Sequence, residues 1–90
     1  MAIHLVIRGV VQGVGFRWFA VHEAQALGLS GWVKNRRDGS VEVAADGDSR
    51  ALEAFQKRVT EGPPGAKVDA IETLGDRPDA PLPKPFVVLR

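Results

Sequence analysis

Hydrophobic and polar positions alternate at the start of the chain, with Ile3, Leu5 and Ile7 on one side and His4, Val6 and Arg8 on the other. That is the period of a half-buried strand. Past a glycine-rich stretch the period changes. Phe16, Phe19, Ala20, Ala24 and Leu27 recur at helical spacing, and Gly28 supplies a stop. Residues 31–35 and 40–43 are predicted as two strands joined through Arg36, Arg37, Asp38 and Gly39, where Asp38-Gly39 is a strong hairpin signal. Asp48 or Ser49 can cap a second helix, whose Leu52, Phe55 and Val59 form one apolar stripe and which Gly62-Pro63-Pro64-Gly65 ends. Residues 68–74 make a poorly alternating strand. Residues 76–85 hold four prolines and are expected as an irregular surface connection, because such a segment cannot join a sheet interior. Residues 86–89 then form a last short strand.

The order strand, helix, strand, strand, helix, strand, with an extra strand near the end, predicts an α+β fold of the ferredoxin-like, split βαβ kind. The expected architecture is an antiparallel sheet of four to five strands with two helices on one face, in one domain over residues 1–90. Composition narrows the chemistry. The 90 residues are 44% hydrophobic and 26% charged with a net charge of +1, an ordinary globular balance without a strong general field for nucleic acid or an anionic membrane. Lys34, Arg36 and Arg37 make a local basic cluster, read as a solvated hairpin tip. There is no cysteine, which excludes disulfides, thiol nucleophiles and thiolate metal sites. His4 and His22 have no second ligand at metal spacing and are read as surface or internally satisfied residues, so neither metal nor cofactor is expected. The N-terminal apolar stretch is interrupted by His4 and Arg8, too short and polar for a signal peptide or membrane span. A cytoplasmic monomer is expected.

The candidate chemistry lies in Gly9-Val10-Val11-Gln12-Gly13-Val14-Gly15-Phe16-Arg17, between the first strand and the first helix. A glycine turn feeding a helix N-terminus leaves backbone N–H groups converging without partners at the positive end of a dipole, which suits a phosphate or carboxylate. Arg17 in the first turn faces a dipole of the wrong sign, at a cost of roughly 0.3 to 1 kcal/mol that a bound anion would reverse. The alternative is a plain tight turn with its arginine in water. A nucleotide P-loop is excluded because Phe16-Arg17 follow Gly15 where Lys-Ser or Lys-Thr is required, and a dinucleotide fingerprint fails at Trp18. Asn35, late in a strand, either satisfies backbone groups of the following turn or uses its amide to orient a water against a bound anion. Trp32 is read as core.

The segment Ile7-Arg8-Gly9-Val10-Val11-Gln12-Gly13-Val14-Gly15-Phe16-Arg17 resembles the first signature of the acylphosphatase family, and Gly31-Trp32-Val33-Lys34-Asn35 with Gly39, Val41 and Gly47 resembles the second. Val10 and Ile7 depart from the common wording, where many members carry arginine and leucine, and loss of the extra cation would weaken phosphate affinity. The resemblance implies a hydrolase that cleaves the carboxyl–phosphate anhydride of acyl phosphates to a carboxylate and inorganic phosphate, without metal or phosphoenzyme. It assigns the phosphoryl oxygens to Arg17 and the loop amides of Gln12, Gly13, Val14, Gly15 and Phe16, and the attacking water to Asn35.

The inventory agrees with that chemistry, since an acyl phosphate expels a stable carboxylate and needs neither general acid nor metal. The water's proton has no evident protein acceptor, so a phosphate oxygen of the substrate is expected to take it. Two rivals stand beside this reading. The same signatures open the carbamoyltransferases of hydrogenase maturation, which implies carbamoyl phosphate as an alternative substrate. The other rival is a non-catalytic ligand- or RNA-binding module on the same fold. RNA-binding versions show aromatics on the open sheet face, where this chain is expected to offer His4, Val6, Arg8, Ser40, Glu42 and Ala44. The expected partner is a small-molecule acyl phosphate.

Overall fold

The computed structural model describes residues 1–75 and 82–89. The elements are β1 (Ala2–Val10), α1 (Phe16–Ala26), β2 (Ser30–Asn35), β3 (Val41–Asp46), α2 (Ser49–Glu61), β4 (Lys67–Gly75) and β5 (Val87–Val88). The strands form one sheet in the order β4-β1-β3-β2-β5, the ferredoxin-like α+β arrangement with one further strand at its edge. Pairings within β4-β1-β3-β2 are antiparallel, but β5 runs parallel to β2 with Val33 beside Val88. The sheet is therefore mixed.

The core lies between the sheet and the helices. Leu5 and Ile7 of β1, Val41, Val43 and Ala45 of β3, and Val33 of β2 are buried. Ile7, Val33, Val41, Val43 and Ala45 meet Phe16, Ala20 and Ala24 of α1 and Leu52, Phe55 and Val59 of α2. Both helical stripes fall where the apolar spacing placed them. Asp48 is the cap of α2, its side chain accepting from the Arg50 amide at 3.2 Å. Phe86 closes the core at the far end, its ring 5.8 Å from that of Phe55. An ion pair of Glu23 with Arg58 at 2.7 Å links the two helices.

Alternation is poor in β4 because it is an edge strand, mostly exposed, and its pairing with β1 shifts register between His4 and Leu5 and between Arg8 and Gly9. Of the proline-rich connection, residues 76–81 lie outside the described residues; Pro83 follows, its carbonyl accepting from Gly31 N–H at 2.7 Å.

The open face corrects the readings of Trp32, Lys34, Ser40, Ala44 and Val6. Trp32 is not core: it stands on the face away from the helices, partly buried. There its ring meets His4 nearly perpendicularly at 5.7 Å, and Lys34 Nζ stands 5.4 Å from its centroid. Lys34 belongs to that face and not to the hairpin tip, and reaches Glu42 at 3.9 Å. Alternation along β2 places Trp32 with Lys34 and opposite to Val33; the size of the indole misleads only if side is judged by hydrophobicity. The remaining corrections are Ala44 and Ser40, expected on offer there but buried, and Val6, which points to the same face yet is fully buried. Long side chains stand opposite it on both flanking strands, Glu42 on β3 and Glu72 on β4.

Candidate active site

β1 and α1 are joined by residues 11–15, and the turn depends on two glycines. Gly13 has φ 75° and Gly15 φ 79°, left-handed conformations that a residue with a Cβ adopts only under strain. Gly15 is the N-cap of α1; it has no side chain to cap with, and the first turn contains no acidic residue. Among the described residues, no backbone acceptor outside the regular elements pairs with an N–H of residues 12–16. Their donors accordingly remain at the positive end of α1, where an anion is stabilised.

Arg17 and Asn35 come together. A cleft of about 290 Å³ is lined by Val11, Gly13, Gly15, Phe16, Arg17, Trp18, Asn35 and Val88. Loop, helix and the end of β2 thus converge on one space, and β5 contributes its side through Val88. Gln12 and Val14 are not part of that lining. Among the described residues no carboxylate lies within ion-pair distance of Arg17, so its guanidinium is available to an anion from outside.

Gln12 has a role that sequence reasoning missed. Its Nε2 donates to the Arg36 carbonyl at 2.7 Å and to the Ser40 carbonyl at 2.9 Å, tying the loop to the β2–β3 hairpin. Asp38 completes the hairpin tip, accepting from the Ser40 amide at 3.0 Å and from its hydroxyl. Gln12 and Asp38 therefore satisfy the backbone groups of the turn that Asn35 could otherwise have served. Asn35 Oδ1 is instead buried with no hydrogen-bond partner among the described residues. An idle buried amide oxygen costs about 1–3 kcal/mol, which makes it unusual in a native structure. A pairing of Gln12 with the hairpin leaves no local sequence signal, because the partners are backbone atoms set by the fold.

Asp38 is held well below the usual carboxylate range, at about 2, first by its hydrogen bonds from Ser40 and then by Arg8 and Arg36. Arg8 links it to β4, contacting Asp38 at 3.1 Å and Glu72 at 2.9 Å, and its own pKa is raised by both. His4, on the open face away from the helices, meets Glu42 at 2.6 Å, and His22 stacks on Trp18. Neither histidine lines the cleft. Among the described residues no three metal-ligating side chains cluster, and no helix is long and apolar enough to cross a membrane.

A ferredoxin-like sandwich with an arginine and an asparagine facing a glycine-built helix N-terminus is an architecture suited to a small phosphorylated substrate. The family model described as Acylphosphatase matches residues 3–86. An acylphosphatase of Nitrobacter hamburgensis is 53% identical over 68 residues, 76% of this chain and 69% of that one. The crystal structure of the Bacillus subtilis acylphosphatase superposes with a TM-score of 0.88 at 38% identity, covering 99% of this chain and 98% of that one. The HypF structure from T. kodakarensis superposes with a TM-score of 0.85 at 33% identity, covering 99% of this chain but 12% of that one. The chain belongs to the acylphosphatase family, and it is a hydrolase of that family.

Proposed function

We propose that this chain hydrolyses acyl phosphates in the cleft between the β1–α1 loop and the end of β2. The observation that carries the reading is that Arg17 and Asn35, from separate elements, line one cleft with Gly13 and Gly15. Arg17 and the amides of residues 12–16 bind the phosphoryl oxygens and neutralise charge as it develops. Asn35 holds the attacking water, since its amide can both donate and accept and its buried Oδ1 has no hydrogen-bond partner among the described residues. Water oxygen bonds to phosphorus as the bond from phosphorus to the acyl oxygen breaks. The carboxylate leaves with that electron pair, and a phosphoryl oxygen takes the water's proton.

A carboxylate leaving group is stable without protonation, so neither a general acid nor a Lewis acid is required. Positioning and electrostatic stabilisation remain, and these are what the cleft is built to supply. The HypF resemblance makes carbamoyl phosphate a second substrate to assay. The RNA-binding alternative is weakened by the open face, where Trp32 is already engaged by His4 and Lys34.

The test is hydrolysis of benzoyl phosphate and carbamoyl phosphate by purified protein in the presence of a chelator, with Arg17→Gln beside the wild type. Wild-type activity should survive the chelator. Arg17→Gln should lose about 10³- to 10⁵-fold, the scale on which an arginine clamp contributes to phosphoryl transfer. A folded variant keeping more than about a tenth of the activity, a loss of only ~1.4 kcal/mol, contradicts the assignment.

A further inference from the structure

The cleft has two halves of different chemistry. Gly13, Gly15, Arg17 and Asn35 make one polar; Trp18 and Val88 give the other an apolar edge. Both of these side chains are exposed, Trp18 by 72% and Val88 by 38%. Trp18 is not needed by the core, because Phe16, on the same turn of α1, is buried there in its place. Leaving an indole in water wastes a large apolar surface unless something covers it.

The indole is also held in orientation. His22 stands one turn further along α1, its ring 5.3 Å from that of Trp18 with 12° between their planes. The stack occupies only one ring face, and the indole, 72% exposed, still lines the cleft. Val88 reaches the same cleft because β5 pairs in parallel with β2. With volume equal to roughly ten waters of ~30 Å³ each, the cleft has room for more than a phosphoryl group. A substrate held by its phosphate at Arg17 must direct its carbon end elsewhere, and Trp18 is the next residue in the chain.

We propose that Trp18, with Val88, forms the wall that receives the acyl group, so that the enzyme favours acyl phosphates with an aromatic or bulky apolar acyl group over acetyl phosphate. This rests on the reading of the cleft as the acyl phosphate site. Because the acyl group touches the wall equally before and during phosphoryl transfer, the preference resides mainly in KM.

The experiment compares kcat/KM for benzoyl phosphate and acetyl phosphate in the wild type, Trp18→Ala and Trp18→Phe. Intrinsic reactivities cancel when each variant's benzoyl-to-acetyl ratio is divided by that of the wild type. Trp18→Ala should lower the ratio roughly three- to tenfold, the scale of one aromatic contact, through a higher KM for benzoyl phosphate. Trp18→Phe should retain most of it. A ratio unchanged in Trp18→Ala, including one in which both substrates weaken equally, overturns the wall. Absence of wild-type hydrolysis of either substrate is a different result and overturns the reading of the cleft itself. Substitution on an exposed position keeps the fold, and thermal melting of both variants checks that it does.

Discussion

At Asn35 the stability and the proposed chemistry pull in opposite directions. Its Oδ1 is buried without a partner among the described residues, a state that costs about 1–3 kcal/mol. Asn35→Ala removes that oxygen and should leave the melting temperature equal or higher. The same change should lower kcat roughly a hundredfold, as loss of a positioning group does, while phosphate still inhibits at a similar concentration. A preserved kcat with a large rise in the phosphate inhibition constant would make Asn35 a binding residue instead. Residue identities were legible in the sequence because Arg17 and Asn35 are unusual where they stand: a cation in a helix's first turn and an asparagine late in a strand. What was not legible was that Asn35 is idle, since that depends on Gln12 and Asp38 having taken over the hairpin's backbone groups.

The β1–α1 loop and the β2–β3 hairpin are held together by Gln12. Its two side-chain hydrogen bonds fix the distance between the loop and the strand that carries Asn35. Gln12→Ala should cost about 1–2 kcal/mol in denaturant unfolding, the loss of two hydrogen bonds to carbonyls that keep other partners. It should also lower kcat roughly tenfold or more by letting the water drift from phosphorus. Lost stability with unchanged kcat would show that the tether does not align the site. Element order and type were readable from periodicity, since α1 and α2 each bury a regular stripe, even though β1 buries Leu5, Val6 and Ile7 in succession. The direction of β5 was not, because it is set by pairing with β2, a contact between distant parts of the chain that no local pattern records. The side of Trp32 was readable in principle, from Lys34 two residues on, but its hydrophobicity argued the other way.

Over the whole molecule, acid tests how the strand ends are joined. Arg8 of β1 bridges the hairpin through Asp38 and β4 through Glu72. A carboxylate whose folded pKa lies below its unfolded value stabilises the fold above the unfolded value and loses that contribution as pH falls through the folded one. For Asp38 the window runs from about 3.9, the ordinary aspartate value, down to about 2. Melting temperatures of wild type and Asp38→Asn should differ most at neutral pH and converge across that window; a gap constant with pH would contradict the role of the charge. The proposed anion site at the start of α1 is tested at the same scale by what an anion does to the fold. Phosphate at about ten times its dissociation constant should add ~1.4 kcal/mol to the unfolding free energy of the wild type, very roughly 5 to 10 °C in a domain of this size. The decisive measurement is that increment in matched phosphate and chloride of equal ionic strength, for wild type and Arg17→Gln. The wild type should gain and Arg17→Gln should not; an equal gain in both would mean that no anion site containing Arg17 exists at the start of α1.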